Sequence, residues 1–163
     1  MASKPASELL AELKGTVGQE LVFRAPDEMG RASFRKYALA IGDFNPLYFD
    51  RAFARQHGLR DVMAPPTLLC DTWQYIDSDI DARGDLVGRG KIRDLEGLRA
   101  GNDYEFFQPL HPDDVITAYW KVKDVYEKAG RSGRLVFQEI EVSFFNQREE
   151  LLARNTETLF YRL

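Results

Sequence analysis

Three consecutive segments near the C-terminus, residues 115–126, 135–145 and 151–163, carry the alternating apolar and polar pattern of half-buried β-strands. Short turn sequences at residues 130–133 and 146–150 separate them. Strands joined by so few residues must run in opposite directions, because a parallel pair needs a crossover of roughly a dozen residues or more. The end of the chain therefore predicts an antiparallel sheet.

The N-terminal part of the chain has helical periodicity instead. Leucines at helical spacing predict a short helix over residues 7–14 with Ser7 as its N-cap. Residues 1–18 are interpreted as an N-terminal extension in which this helix is a lid or an interface element. A longer helix is predicted over residues 30–41. Its inner stripe consists of Phe34, Tyr37, Ala38 and Ile41.

A further helical pattern runs from Thr67 to Ile80 after two prolines, and it is apolar over most of its circumference. Such a helix needs cover on most sides. Strand patterns at residues 19–24 and 95–107 add to the three C-terminal strands, whereas residues 77–93 have the composition of a loop. Helices early and hairpins late predict a single α+β domain over residues 1–163, with an antiparallel sheet packed on one helix.

Composition excludes several classes of protein. The formal net charge of −4 argues against a nucleic-acid-binding protein, which normally carries a basic surplus. No apolar run approaches the ~18 residues of a transmembrane helix, and the first residues lack the apolar core of a signal peptide. Cys70 is the only cysteine, so no disulfide framework is possible, and its neighbours indicate a buried thiol. A cytoplasmic protein that binds neither nucleic acid nor a membrane is expected.

Polar residues lie in the connection between the helix of residues 30–41 and the next helix, outside regular secondary structure. Gly42 ends one helix, a turn is predicted at Asn45 and Pro46, and Asp50 is placed to cap a short second helix. Asp43 and the turn around Asn45 can therefore face a ligand instead of the core.

Several residues of this stretch resemble the signature of a known enzyme family. They are Asp43, Asn45, Pro46, Tyr48 and Asp50, followed by His57-Gly58, Ala64-Pro65-Pro66-Thr67 and Phe107-Gln108-Pro109. The pattern is similar to that of the MaoC-like hydratases and dehydratases, and within them to the FAS1-like, or MaoC N-terminal-like, dehydratase domains. The resemblance extends from about Phe23 to the C-terminus.

The resemblance implies a single hotdog fold, in which the antiparallel sheet wraps around the helix that begins at Thr67. It also implies reversible addition of water to a 2-enoyl thioester of coenzyme A or acyl carrier protein. No cofactor is expected beyond the coenzyme A or carrier protein that is part of the substrate. Because a lone hotdog leaves one side of its sheet uncovered, a homodimer or a heterodimer with a second MaoC-like hotdog subunit is expected.

Hydration of an enoyl thioester requires a base that activates water and donors that stabilise the enolate oxygen. The family supplies the base as an aspartate and a histidine five residues later, and the matching positions are Asp43 and Tyr48. The family's donors are backbone amides at the start of the central helix, where the helix dipole favours negative charge. The substrate-binding candidates are Asn45, Thr67, Leu68, Arg89 and Lys91, of which the last two belong either to a solvated loop or to a contact for coenzyme A phosphates.

Tyr48 departs from the family pattern. A phenol with a pKa near ~10 is almost wholly protonated at neutral pH, whereas an imidazole near ~6.5 is mostly free base. Three alternatives follow. Asp43 acts alone while Tyr48 positions the water, with the pKa of Asp43 raised by burial against Ile41 and Phe44; or the chain holds substrate for a partner that supplies a complete Asp-His pair; or the site is inert. We favour the second alternative, because related families include heteromeric hydratases with such a division of labour.

Other interpretations of the same residues stay open. Asp43 is equally suited to an Asx-turn with the amides near Asn45. His57 is interpreted as a helix-end residue and His111 as an exposed turn residue, and neither has a partner at metal-ligand spacing, so no metal site is predicted. The alternative functions are a non-catalytic subunit that binds acyl thioesters and, less favoured by the Asp-x-Asn-Pro spacing, a hotdog thioesterase.

Overall fold

A computed structural model describes residues 6–70, 98–130 and 133–162. In chain order the α-helices and strands of those ranges are α1 (Ala6–Lys14), β1 (Glu20–Arg24), α2 (Arg31–Ile41), α3 (Arg51–Gln56), β2 (Leu98–Phe106), β3 (Thr117–Gly130), β4 (Gly133–Phe145) and β5 (Leu151–Arg162). Two short 3-10 helices, Pro46–Tyr48 and Pro66–Cys70, flank α3 in the sequence.

The five strands form one antiparallel sheet in the order β1-β3-β4-β5-β2. β3, β4 and β5 are successive hairpins, as their alternating pattern predicts, and β2 pairs with β5 at one edge. A bulge between Val122 and Asp124 keeps the apolar positions of β3 on the inner face at both ends of this long strand. The predicted α+β architecture is confirmed.

The core lies between the inner face of the sheet and the helical segments. Leu68 and Leu69 of the 3-10 helix Pro66–Cys70 are buried together with Phe34 of α2 and with Phe144 of β4. This 3-10 helix stands where the predicted central helix begins, and residues 71–80 of that prediction lie outside the described residues. The predicted loop of residues 77–93 lies outside them as well.

Local sequence signals account for the ends of the helices. Gly42 adopts the left-handed conformation after α2, with φ of 72°, as predicted. Asp50 caps α3 by accepting hydrogen bonds from the amides of Ala52 and Phe53. Ser7 lies inside the first turn of α1, so the prediction that it is the N-cap is wrong.

The N-terminal helix α1 is part of the core. Leu13 is fully buried against Val125, Val136 and Tyr161, at the end of the sheet that the larger cluster does not cover. A short polar segment then leads into β1, which pairs with β3. The helix therefore closes one end of the sheet.

A buried carboxylate fastens three loops to one another. Asp114 has a fully buried side chain, and its Oδ1 accepts hydrogen bonds from Arg60, after α3, and from Arg148, in the turn between β4 and β5. Its Oδ2 accepts from the backbone amide of His111 at 2.7 Å. The His111 ring, predicted to be exposed, is buried and lies 3.0 Å from the carbonyl of Val62 through Nδ1. That prediction failed because nothing local in the sequence indicates that the loop after α3 covers the ring.

We expect Asp114→Asn to lower the free energy of unfolding by about 3 kcal/mol, because it leaves two guanidinium groups facing a neutral amide where the buried charge was. The matched control is Asp113→Asn, since Asp113 pairs with the same arginines from a side chain that is 59% exposed. Its loss is expected to stay below about 1 kcal/mol. Urea denaturation at neutral pH measures both values, and equal losses would contradict the role given to Asp114.

Candidate functional site

Asp43 is the first residue beyond the glycine that ends α2. Its amide donates to the carbonyl of Ala38 at 3.0 Å, and its Oδ1 accepts from the amide of Asn45 at 3.1 Å. The Asn45 side chain in turn accepts from the amide of Leu47, which starts the following 3-10 helix. The Asx-turn interpretation of Asp43 is therefore correct. The carboxylate is half-buried, and hydrogen bonds hold the backbone of its loop.

Tyr48 lies buried next to this carboxylate. Burial raises the pKa of the Tyr48 phenol, and the negative charge of Asp43 and a hydrogen bond to it raise that pKa further. A phenol whose pKa lies above its ordinary value of ~10 is protonated at neutral pH. Tyr48 thus donates its proton toward Asp43 and is unable to accept one from water.

The apolar neighbours of Asp43 point away from the core. Phe44 is 68% exposed and Ile41 is 50% exposed, so neither buries the carboxylate, and the expectation that they would do so is wrong. Ile41 is also absent from the buried face of α2, which consists of Phe34 and Ala38 with Tyr37 partly buried beside them. The α2 stripe ends one turn earlier than its sequence predicts because the chain turns away at Gly42.

The proposed oxyanion donors lie at the first turn of the 3-10 helix Pro66–Cys70. The Leu68 amide donates to the carbonyl of Pro65 at 3.0 Å, whereas no described backbone carbonyl accepts from the amide of Thr67. The Thr67 side chain is exposed, and its hydroxyl lies 3.0 Å from that of Tyr37 on α2. This contact joins the start of the 3-10 helix to the helix that presents Asp43.

One carboxylate joins the two helices on either side of the Asp43 loop. Asp61 contacts Arg31 at the start of α2, with Nη2 at 2.6 Å from Oδ2, and Arg51 at the start of α3, with Nη2 at 3.2 Å from the same oxygen. Two residues later, the amide of Met63 donates to the carbonyl of Leu47 at 3.1 Å. The loop after α3 therefore holds the Asp43–Tyr48 segment from two sides.

Two adjoining cavities open beside the loop after α3. One is apolar, measures about 330 Å³ and is lined in part by Leu59, Met63, Leu69 and Phe106. The other measures about 300 Å³ and is lined by polar groups, among them Arg60, Arg148 and His111. Neither cavity follows from the sequence, because the walls of each come from segments far apart in the chain.

The remaining candidate residues divide into three groups. Arg89 and Lys91 lie outside the described residues. His57 is exposed and its Nδ1 lies 2.8 Å from the carbonyl of Phe53, which agrees with the predicted helix-end role. Burial raises the pKa of the Cys70 thiol to about 12, so the thiol is protonated and is not a nucleophile.

The described ranges contain neither a metal site nor a membrane-spanning helix. No cluster of three or more histidine, cysteine or carboxylate side chains is arranged to hold a metal ion in residues 6–70, 98–130 and 133–162. Over the same residues, no helix has the length and apolar character needed to cross a membrane.

Comparison with known proteins decides the family. The family described as "FAS1-like, dehydratase domain region" matches residues 16–155. The chain belongs to this family. Among curated relatives, a UPF0336 protein of Streptomyces coelicolor is 45% identical over 70% of this chain and 73% of its own length. Another, from Thermobifida fusca, is 30% identical over 70% of this chain and 72% of its own.

Solved structures of MaoC-like proteins share the fold of this FAS1-like dehydratase domain. A chain of the ChsH1-ChsH2 complex from Mycobacterium tuberculosis superposes with a TM-score of 0.74 at 19% identity, over 96% of this chain and 90% of the other. A chain of the HadBC (3R-hydroxyacyl-ACP dehydratase) complex from the same organism gives 0.66 at 21% identity, over 88% and 96%. The (R)-hydratase of A. caviae gives 0.60 at 22% identity, over 90% and 96%. The predicted hotdog fold is confirmed.

The Asp61 contacts predict a loss of stability in acid. A hydrogen bond from Arg31, assisted by the Val62 amide and by the charge of Arg51, lowers the pKa of Asp61 to about 2. A lowered pKa in the folded state stabilises the fold above the unfolded value of ~3.9, and this stabilisation disappears as the pH falls from about 4 to about 2. We expect Asp61→Asn to be less stable than the wild type by about 1–2 kcal/mol at pH 7.

Urea denaturation of both proteins over that pH range measures the effect. The gap between their free energies of unfolding should narrow as the pH falls toward about 2. A gap that stays constant with pH would mean that Asp61 acts through packing and not through its charge.

Proposed function

We propose that this chain is the substrate-holding hotdog subunit of an enoyl thioester hydratase, or in the reverse direction a (3R)-hydroxyacyl thioester dehydratase. A second MaoC-like hotdog would supply the complete Asp-His pair. The observation that carries the proposal is the buried, protonated phenol of Tyr48 at the position where the family has its histidine. A protonated phenol beside a carboxylate positions that carboxylate but does not take a proton from water.

The described residues offer a thioester two kinds of contact. The Thr67 amide is available to hydrogen-bond the thioester oxygen, whereas the Leu68 amide is already bound to Pro65. The apolar cavity beside Leu69 and Phe106 has room for part of an acyl chain. Asn45 is committed to the Leu47 amide and so shapes the loop that carries Asp43. Contact between the coenzyme A phosphates and Arg89 or Lys91 remains an expectation from the sequence.

Surface exposure supports a partner that covers the Asp43 loop. Phe44, Ile41 and Leu39 form an exposed apolar group around the end of α2. At the edge of the sheet, β2 has no described strand on its outer side, and Phe106 and Phe107 at its end are exposed. Two of the similar solved structures are complexes, the ChsH1-ChsH2 complex and the HadBC complex.

The division of labour predicts how single substitutions change activity. The purified wild-type chain should bind enoyl-CoA yet hydrate crotonyl-CoA and a longer enoyl-CoA very slowly. Tyr48→His should raise hydration by about a hundredfold or more, because it introduces a base of suitable pKa beside Asp43. The rate of this variant should increase with pH as the imidazole loses its proton near ~6.5. Loss of enoyl absorbance measures the rate, and adding Asp43→Ala should abolish the gain.

Three other results would each replace part of the proposal. Fast hydration by the wild-type chain that disappears in Asp43→Ala would make this chain the complete enzyme. No gain in a well-folded Tyr48→His would indicate a subunit that only binds acyl thioesters and supports its partner. Release of free thiol from saturated acyl-CoA would indicate a thioesterase.

Association should depend on the apolar group at the end of α2. We expect the chain to form a dimer at micromolar concentration, with itself or with a co-expressed second hotdog, and Phe44→Ser to weaken that dimer by tenfold or more. Val22→Ser is the matched control, because Val22 is 55% exposed on β1, at the edge of the sheet opposite β2. Light scattering measures both, and a chain that stays monomeric alone and with the co-expressed hotdog would contradict the dimer.

A further inference from the structure

Positive charge is concentrated in the helical segments on either side of the Asp43 loop. Residues 30–61 contain six arginine and lysine side chains against three aspartates and no glutamate, whereas the whole chain carries a formal charge of −4. A local surplus of one sign attracts partners of the opposite sign and repels others. These segments therefore form a basic surface on an acidic protein.

Four exposed arginines, which we call the arginine patch, belong to this surface. They are Arg31 and Arg35 on α2, and Arg51 and Arg55 on α3. The two arginines of each helix lie four residues apart, which places them on the same face of that helix. Nη2 of Arg31 and Nη2 of Arg51 lie 2.6 Å and 3.2 Å from the same oxygen, Oδ2 of Asp61. The two pairs therefore meet at Asp61.

Helix stability does not explain where these arginines stand. Arg31 is the first residue of α2 and Arg51 is the first residue of α3, and neither helix has an acidic residue in its first turn. The helix dipole disfavours a positive charge at this end of a helix. Asp61 offers one negative charge to two guanidinium groups, whose side chains stay 51% and 50% exposed. A net positive charge therefore remains and faces solvent.

The arginine patch is an open surface and not a pocket. None of its four residues lines either of the two cavities beside the loop after α3, and all four are exposed. Small ligands are held in concave sites that cover most of their surface. Guanidinium groups spread over two helices instead match the carboxylates of another protein, with which they pair in a bidentate manner. The complementary partner is thus a protein with an acidic surface.

The arginine patch lies next to the segment that carries Asp43 and Tyr48. Arg35 stands six residues before the last residue of α2, which is roughly 9 Å along the helix axis. Its guanidinium lies over the ring of Phe49, 5.6 Å from the ring centroid, and Phe49 directly follows Tyr48. The exposed apolar group proposed to contact a second hotdog is at the other end of α2. A protein docked on the patch therefore reaches the Asp43 loop without displacing that subunit.

We propose that the arginine patch docks an acyl carrier protein whose surface is acidic around the attachment point of its acyl arm. The aspartates and glutamates of the carrier pair with the four guanidinium groups, and the arm enters beside the Asp43 loop. This inference rests on the proposed function and selects one of its two thioester carriers, a protein instead of coenzyme A.

Calorimetric titration of the full chain with dodecanoyl acyl carrier protein and with dodecanoyl-CoA tests the proposal without any turnover. The variant is the double substitution Arg35→Glu and Arg55→Glu, which spares Arg31 and Arg51 because these hold Asp61. We expect it to bind the carrier protein about tenfold more weakly than the wild type, through like-charge repulsion, and to bind dodecanoyl-CoA equally well. The affinity of the wild type for the carrier should fall as salt rises, because salt screens exposed charges.

The matched control reverses two exposed lysines in the second half of β3, with the substitutions Lys123→Glu and Lys128→Glu. It changes the net charge of the chain by the same amount as the test variant. Its affinity for the carrier protein should stay within about twofold of the wild type, because charges more than ~10 Å apart are largely screened. Urea denaturation verifies that both variants are folded.

Each result decides the question. The inference is overturned if the wild type does not bind the carrier protein, if the folded test variant binds it as tightly as the wild type, or if the control loses as much affinity. An equal loss of dodecanoyl-CoA binding would overturn it by making the patch a phosphate contact. Loss of binding to phosphatidylserine vesicles, with carrier binding retained, would make it a membrane contact.

The docking surface and the proposed function can fail separately. Any of the results that overturn the docking surface leaves the hydration of a coenzyme A thioester with a second hotdog standing. Carrier binding that depends on Arg35 and Arg55, in a chain for which no second hotdog restores hydration, would remove the proposed activity and keep the docking surface.

Discussion

The buried carboxylate of Asp114 is the contact on which the arrangement of the loops depends. It accepts hydrogen bonds from two arginines and from the amide of His111, and so joins the loop after α3, the segment before β3 and the turn between β4 and β5. A charge buried this deeply is tolerated only with partners of this quality, and each partner lies on a different loop. The loop after α3 is thereby held against the sheet, and through Asp61 it holds the starts of α2 and α3.

The loop after α3 fixes the position of the segment that carries Asp43 and Tyr48. The amide of Asn45 donates to the Asp43 carboxylate, and the buried Tyr48 phenol donates to it as well. The same burial that packs the phenol raises its pKa, so packing and acid-base chemistry are linked at this residue. Under the proposed function, this pair holds and orients the substrate, and the base comes from another subunit.

Sequence patterns described most of the framework well. The alternation in β3, β4 and β5 predicts their pairing, because strands joined by tight turns have little choice of partner. Gly42 and Asp50 end and begin helices for reasons that are contained in a few neighbouring residues. The inner positions Phe34 and Ala38 follow from helical spacing, whereas Ile41 does not, since the chain leaves the core one turn earlier.

What the sequence determined by itself is the local conformation, the antiparallel sheet and the family, because caps, turns and side-chain periodicity act over a few residues. The tertiary structure decided which side chains are buried from solvent. No local pattern in the sequence indicates that His111 and Asp114 are buried or that the Tyr48 phenol lies against Asp43, and these contacts are made by the fold. Since the pKa of a phenol and the cost of burying a carboxylate depend on exclusion of water, only the fold could assign those residues their properties.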